Sequence, residues 1–163
     1  MNDSSHRKKV DILAAVVTVS SSRVMKSDKS GKTITRILKD HNIPIVLYEI
    51  VPDSPVEIEK ALLDSLNVAN CIIFTGGTGI TSDDITIETV HPYLEKIIDG
   101  FGEYFRMKSY DEVGSKALLS RATAGIIRGK AIFCVPGSPN AARLATEDII
   151  IPEIIHILTH ASK

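Results

Sequence analysis

Apolar residues fall in short, almost unbroken runs at 10–19, Ile43–Val51, Cys71–Thr75 and Ala131–Val135, each rich in β-branched or aromatic side chains. Runs of that length and composition predict strands buried on both faces. Between them the period lengthens. Ile34, Ile37 and Leu38 share one face of a helix from Gly31 to about Asp40, with Ser30 as its cap. Ile58, Ala61, Leu62 and Leu66 form the stripe of a second helix. Its start is Ser54-Pro55-Val56-Glu57, where the serine caps, the proline takes the first helical position and Glu57 completes a capping box. Ile85–His91 predicts a short helix stopped by Pro92, and apolar patterning resumes over Tyr93–Ile98. Gly100 and Gly102 mark a turn before a helix from about Glu103 to Tyr110, and another short helix covers Val113–Ser120. Gly125–Ile127 and Ala131–Val135 read as a small hairpin turning at Arg128-Gly129. Ser138 caps, and Pro139 opens, a helix from Asn140 to about Glu147, and a separate terminal helix runs from Pro152 to His160.

Strand and helix therefore alternate three times before the hairpin, which predicts an α/β fold with a mostly parallel sheet covered by helices on both faces. Residues 10–163 form one domain behind a mobile tail at 1–9. In such sheets ligands lie outside the carboxyl ends of the strands. Four loops follow strand ends: Ser20–Ser30, Pro52-Asp53, Thr75–Asp84 and Pro136–Pro139. The unusual glycines, aspartates and hydroxyls are in these loops, so one site built from all four is expected.

Composition narrows this further. A chain of 163 residues suits one domain with a real core. A net charge of −1 argues against a sequence-independent nucleic-acid binder, which needs a basic face. No apolar run reaches membrane-spanning length. His6-Arg7-Lys8-Lys9 before Ile12–Val19 resembles a signal peptide, but Asp11 interrupts the transition and Val16–Val19 is strongly β-forming. Cys71 and Cys134 each sit in an apolar run without a Cys or His neighbour, which predicts buried thiols in a reducing cytoplasm and no zinc site.

The chemistry centres on 71–88. The strand Cys71–Thr75 ends abruptly at Gly76-Gly77-Thr78-Gly79, three glycines in four positions. Glycines let the backbone adopt positive φ and approach a ligand, while Thr75, Thr78 and Thr81 add hydroxyls beside backbone N–H groups. Asp83 and Asp84 follow, carboxylates that would repel a phosphate unless a divalent cation lay between. The plainer alternative is a tight turn whose aspartates cap the next helix. A dinucleotide fingerprint fails because its third glycine would be Ser82, and a P-loop ending at Gly31-Lys32-Thr33 fails because its first glycine would be Lys26. Asp53 is either a turn residue or a second carboxylate for the metal. Arg23, Lys26 and Lys29 are solvated charges unless the loop turns one onto a phosphate. The five histidines form no triad or metal spacing, and no serine stands in a nucleophile elbow, so covalent catalysis finds no support.

Several of these motifs together resemble the MoaB/Mog family of molybdenum-cofactor biosynthesis. They are Thr75-Gly76-Gly77-Thr78-Gly79 with Asp84, Pro52-Asp53, Gly100-Phe101-Gly102-Glu103, Ser120-Arg121-Ala122, Gly125 and Pro136-Gly137-Ser138-Pro139. Asp28-Lys29-Ser30-Gly31 is similar to the MoaB branch. The resemblance spans about residues 10 to 160 and implies a three-layer αβα sandwich that assembles as a homotrimer or homohexamer. It implies transfer of AMP from Mg·ATP to the terminal phosphate of molybdopterin, with Mg²⁺ as cofactor, ATP as co-substrate and a downstream metal-insertion protein as a further partner. Asp84 and Asp53 would be the catalytic and metal-binding acids. Thr75, Gly76, Gly77, Thr78 and Gly79, Ser30 and Gly31, and Pro136, Gly137, Ser138 and Pro139 would bind the substrates. Two other readings fit the same loops: a pterin-binding or scaffold protein without turnover, and a CinA-like nucleotide pyrophosphatase that uses water as acceptor.

Overall fold

A computed structural model describes residues 10–163; the expected tail at 1–9 lies outside the described residues. The strands are β1 (Ala14–Val19), β2 (Ile45–Val51), β3 (Cys71–Thr75), β4 (Lys96–Ile97), β5 (Thr123–Ile127) and β6 (Lys130–Val135). The helices are α1 (Lys29–Asp40), α2 (Pro55–Val68), α3 (Thr86–Val90), α4 (Asp99–Val113), α5 (Pro139–Ala145) and α6 (Ile151–Ala161). One sheet has the order β2-β1-β3-β6-β5-β4. β2, β1, β3 and β6 run parallel, while β5 and β4 are antiparallel additions at the far edge.

β1, β3 and β6 are mainly apolar because both of their faces are covered. Val16, Ile73 and Phe133 face a core closed by α1, α4, α5 and α6. Val17, Phe74 and Ile132 face a second core closed by α2 and α3. The result is the expected αβα sandwich. The two cysteines lie in opposite cores and cannot pair; burial pushes both thiols up to about 12.

Local chemistry moved several boundaries. Asp28, not Ser30, caps α1: its carboxylate accepts from Gly31 N at 3.0 Å, so the helix starts at Lys29 and Ser30 is inside it. Ser54 precedes α2 with extended backbone and Pro55 in the first turn, but the capping box does not form. The Ser54 N–H that Glu57 would need already donates to Pro52 O at 2.8 Å. Gly100 and Gly102 belong to the first turn of α4 rather than to a preceding turn. Gly102 is there for close approach, since a Cβ on it would stand 2.5 Å from Ala122 O. α5 and α6 form one continuous helical run instead of two helices. Thr146–Ile150 widens into a turn in which Ile151 N–H reaches back five residues to Thr146 O, and this accommodates Pro152 without a break. The hairpin turn is tight, with Arg128 at φ 48° and Gly129 at φ 74°. Strand β4 was not expected.

The path of the chain fixes where a ligand can go. From β1 it crosses to β2 on one side and then to β3 on the other, so the strand order reverses between β1 and β3. The carboxyl ends of parallel strands diverge at such a point and leave a crevice.

Candidate active site

A cleft of about 680 Å³ opens over the carboxyl ends of β1, β3 and β6. Its floor carries Ser20–Arg23 after β1, Gly76–Gly79 after β3 and Pro136–Ser138 after β6. Asp53 enters from the end of β2, and Asp84 from the loop before α3. The opposite wall comes from α4, α5 and the turn after α4, including Phe105, Ser109, Glu112, Lys116 and Asn140.

The glycine loop is held open by its surroundings. Gly76 has φ 100° and Gly77 φ 68°, a region that side chains with Cβ rarely adopt. Thr86 ties both residues down: its hydroxyl donates to Gly76 O at 2.8 Å and its N–H donates to Gly77 O at 3.0 Å. From the other side Arg121 donates through Nε to Gly79 O at 2.8 Å and to Thr78 O at 3.3 Å, and it also pairs with Glu88. Thr75 is fully buried and its hydroxyl donates to Pro136 O at 3.0 Å, joining the β3 and β6 loops. Those loops nearly touch, because a Cβ on Gly137 would stand 3.1 Å from Gly76 Cα.

The two carboxylates overhang this loop. A Cβ on Gly77 would stand 3.4 Å from Asp53 Oδ1, and one on Gly79 would stand 2.6 Å from Asp84 Oδ2. Asp53 is anchored to the β1 loop: its Oδ2 accepts from Ser21 Oγ at 2.8 Å and from Ser21 N at 3.1 Å. Asp84 Oδ2 accepts from Thr81 Oγ1 at 2.8 Å and from Thr81 N at 2.9 Å. Burial alone would raise the Asp84 carboxyl. The Thr81 hydroxyl and amide, the Gly79 amide and the Arg121 charge outweigh it and hold the group below the usual carboxylate range. Asp84 does not cap α3; Ile85 occupies that position and makes no side-chain cap bond. The plainer reading of Asp84 as a helix cap is thereby corrected.

Gly76, Gly77, Thr78, Gly79, Asp53, Asp84, Pro136, Gly137 and Ser138 thus share one cleft. Thr75 lies beneath it, Pro139 begins α5 and Ser138 caps that helix through Ala141 N at 3.2 Å. Ser30 and Gly31 do not line it. They surround Asp28, whose carboxylate is fully buried and accepts from Thr18 Oγ1 at 2.6 Å and Tyr48 OH at 2.5 Å. Sequence reasoning left the α4 and α5 wall out of the site. There Glu112 accepts from Asn140 at 2.5 Å and from Arg143 at 2.7 Å, a link between distant helices that no local spacing announces.

Asp28 should also leave a signature in the acid stability of the protein. Burial would raise its carboxyl, but the Thr18 and Tyr48 hydroxyls, the Gly31 amide and Arg23 together lower it below the ordinary value. A carboxyl lowered by folding stabilises fully above its unfolded value, about 3.9, and that contribution is lost as pH falls through the folded value. Below about pH 4 the unfolding free energy should therefore fall with a slope containing one proton from Asp28, about 1.4 kcal/mol per pH unit. Denaturant titrations at several acid pH values measure that slope, and Asp28→Asn should remove this share of it.

Comparison with known proteins points in one direction. Residues 15–156 match a family described as a probable molybdopterin binding domain. Molybdenum cofactor biosynthesis protein B of Bacillus cereus is 41% identical over 162 residues, 96% of this chain and 96% of that protein. A crystal structure of a molybdenum cofactor biosynthesis protein B superposes with a TM-score of 0.89 at 42% identity, covering 94% of this chain and 97% of the other. The tungsten cofactor synthesizing protein MoaB from Pyrococcus furiosus gives 0.87 at 44% identity, covering 93% and 98%.

Proposed function

The chain belongs to the MoaB branch of the molybdopterin-binding family, and on that footing we propose that it is a molybdopterin adenylyltransferase serving molybdenum or tungsten cofactor biosynthesis. In the reaction a terminal phosphate oxygen of molybdopterin attacks the α-phosphorus of ATP. A new P–O bond forms, the bond from the α-phosphorus to the bridging oxygen breaks, and pyrophosphate leaves. The observation that carries this reading is the pair of carboxylates over one glycine loop, Asp53 above Gly77 and Asp84 above Gly79.

The donor set fits a hard cation. Among the described residues no three His, Cys, Asp or Glu side chains gather into a metal site. Mg²⁺ characteristically takes one or two carboxylates and completes its shell with water and substrate phosphates, which suits Asp53 and Asp84. When bound, it would neutralise charge between two phosphate groups that otherwise repel. The chain's own residues do the rest. Gly76–Gly79 brings backbone close to the phosphates, Thr78 adds a hydroxyl, and Thr86 with Arg121 keeps the loop from relaxing. Such a site works by positioning and electrostatics and needs no nucleophile of its own.

The deciding experiment mixes protein, Mg·ATP and molybdopterin and follows adenylylated pterin and pyrophosphate. Formation of both in equal amounts, dependent on pterin, is expected. Pyrophosphate with free AMP in the absence of pterin would indicate a pyrophosphatase, and pterin binding without either product a scaffold.

Assembly as a homotrimer or homohexamer in the cytoplasm belongs to the same proposal. α4 exposes Tyr104, Met107 and Tyr110 at three-residue spacing, and Leu118 is exposed just beyond it. Apolar side chains gathered in this way are often covered by another subunit. Light scattering at micromolar concentration should give three or six times the 17.7 kDa chain mass, and a monomer would remove this part of the proposal.

A further inference from the structure

The cleft is short of positive charge for what it has to hold. Asp53, Asp84 and Glu112 line it, against Arg23 and Lys116. Lys116 belongs to the wall beyond α4, and Arg121 is committed to Glu88 and the Thr78 and Gly79 carbonyls, so Arg23 is the cation that lines the cleft at the glycine-loop end. Among the charged residues of the Ser20–Ser30 loop it alone lines the cleft; Lys26 and Lys29 are exposed.

Arg23 is also the best anchored of the three cations there. Its Nη1 donates to Ser30 Oγ at 2.7 Å and its Nη2 donates to Gly137 O at 2.9 Å. The Ser30 hydroxyl in turn donates to Asp28 Oδ1 at 3.3 Å, and Arg23 Nη1 lies 3.9 Å from that same oxygen. Thr18, Tyr48 and Gly31 supply the remaining donors to the buried acid. A Cβ on Gly31 would run into Asp28, Tyr48 and Thr18, so the glycine is required for the acid to sit there. One guanidinium therefore spans from the cap of α1 to the β6 loop, where Gly137 meets Gly76. Two of its five N–H donors are used in these bonds, its side chain keeps 32% of its surface exposed, and the residue lines the cleft.

We propose that Arg23 receives a phosphate oxyanion of the nucleotide and at the same time positions the Pro136–Ser138 loop, and that Asp28 is the positioning residue that aims it. A fork geometry suits this double duty, because arginine can hold protein oxygens with one edge and offer the other to a phosphate. For its turnover arm this inference rests on the AMP-transfer reading; for its binding arm it does not.

The test uses the full chain and two probes, inorganic pyrophosphate and Mg·ATP, titrated by calorimetry beside melting curves and AMP-transfer kinetics. Arg23→Gln is expected to weaken both ligands about tenfold or more, with a melting temperature near the parent's. Arg23→Lys should recover much of the pyrophosphate affinity, because the charge is kept. It should leave kcat low, because an ammonium cannot bridge Ser30 and Gly137 while facing a ligand. Asp28→Asn should weaken binding in the same direction, and combining it with Arg23→Gln should cost little beyond Arg23→Gln alone. If Asp28→Asn does not fold, Tyr48→Phe removes one donor to the same carboxylate and should show a smaller loss. Parent-like affinity for both probes in folded Arg23→Gln overturns the proposal. So does a loss that Arg23→Lys fails to relieve and that merely follows the melting temperature. A parent that makes no adenylylated pterin, yet binds pyrophosphate through Arg23, overturns the enzymatic reading and leaves this one standing.

Discussion

Asp84→Asn should fold like the parent and lose AMP transfer by two orders of magnitude or more. Asparagine keeps the shape of the side chain and retains one oxygen for Thr81, whose amide and hydroxyl now converge on Asp84 Oδ2. It gives up the anionic oxygen that a hard cation prefers. A metal contributes several kcal/mol of transition-state stabilisation, and about 2.7 kcal/mol already corresponds to a hundredfold in rate. The stability cost should be small, because the carboxylate sits in a loop outside both cores. Pterin affinity without metal should hold or tighten, since one negative charge facing the phosphate is gone. Side-by-side melting curves, pterin titrations and AMP-transfer rates separate the possibilities. Unchanged transfer in a folded Asp84→Asn would show that Asp84 merely shapes the loop through Thr81 and Gly79.

Much of this site could be read from the chain because its parts are local. Cys71–Thr75 is apolar on both faces and ends in glycines, so the strand, its end and the loop were visible within nine residues. The same holds for Ser138 and Pro139, which cap and open α5 as expected. Misreadings arose where one residue answers to a distant partner. Asp28 displaced Ser30 as the cap of α1 because Thr18 and Tyr48, from two strands, also converge on its carboxylate. Gly102 resembled a turn residue, yet its lack of a side chain lets α4 pack close to Ala122. The roles of Arg23 and Arg121 are invisible locally, since both bind carbonyls supplied by remote loops. The wall of α4 and α5 was missed for the same reason. Each of these depends on what the fold brings alongside, and hydrophobic periodicity carries no record of it.

Gly77→Val should abolish nucleotide and pterin binding and also lower stability measurably. Gly77 has φ 68°, where a β-branched residue is strained by roughly 1–3 kcal/mol. Its new Cβ would also collide with Thr86 Oγ1. Thr86 is fully buried and its hydroxyl donates to Gly76 O at 2.8 Å, so turning it away leaves a polar group unpaired. Together these effects predict a loss of about 3 kcal/mol, or roughly 6–12 °C in melting temperature for a chain of this size. The branches would also fill the approach to Asp53, whose Oδ1 lies 3.4 Å from the Cβ position. Two other glycines serve for comparison. Gly79→Ala brings its Cβ to 2.6 Å from Asp84 Oδ2 without a positive φ, so it should impair turnover with a smaller change in melting temperature. Gly100→Ala meets nothing within 4 Å inside α4 and should stabilise by about 0.5–1 kcal/mol while leaving binding alone. Calorimetric titration and thermal melts on all three variants test the set. A Gly77→Val protein that melts with the parent and binds nucleotide as tightly would show that the phosphates lie elsewhere in the cleft.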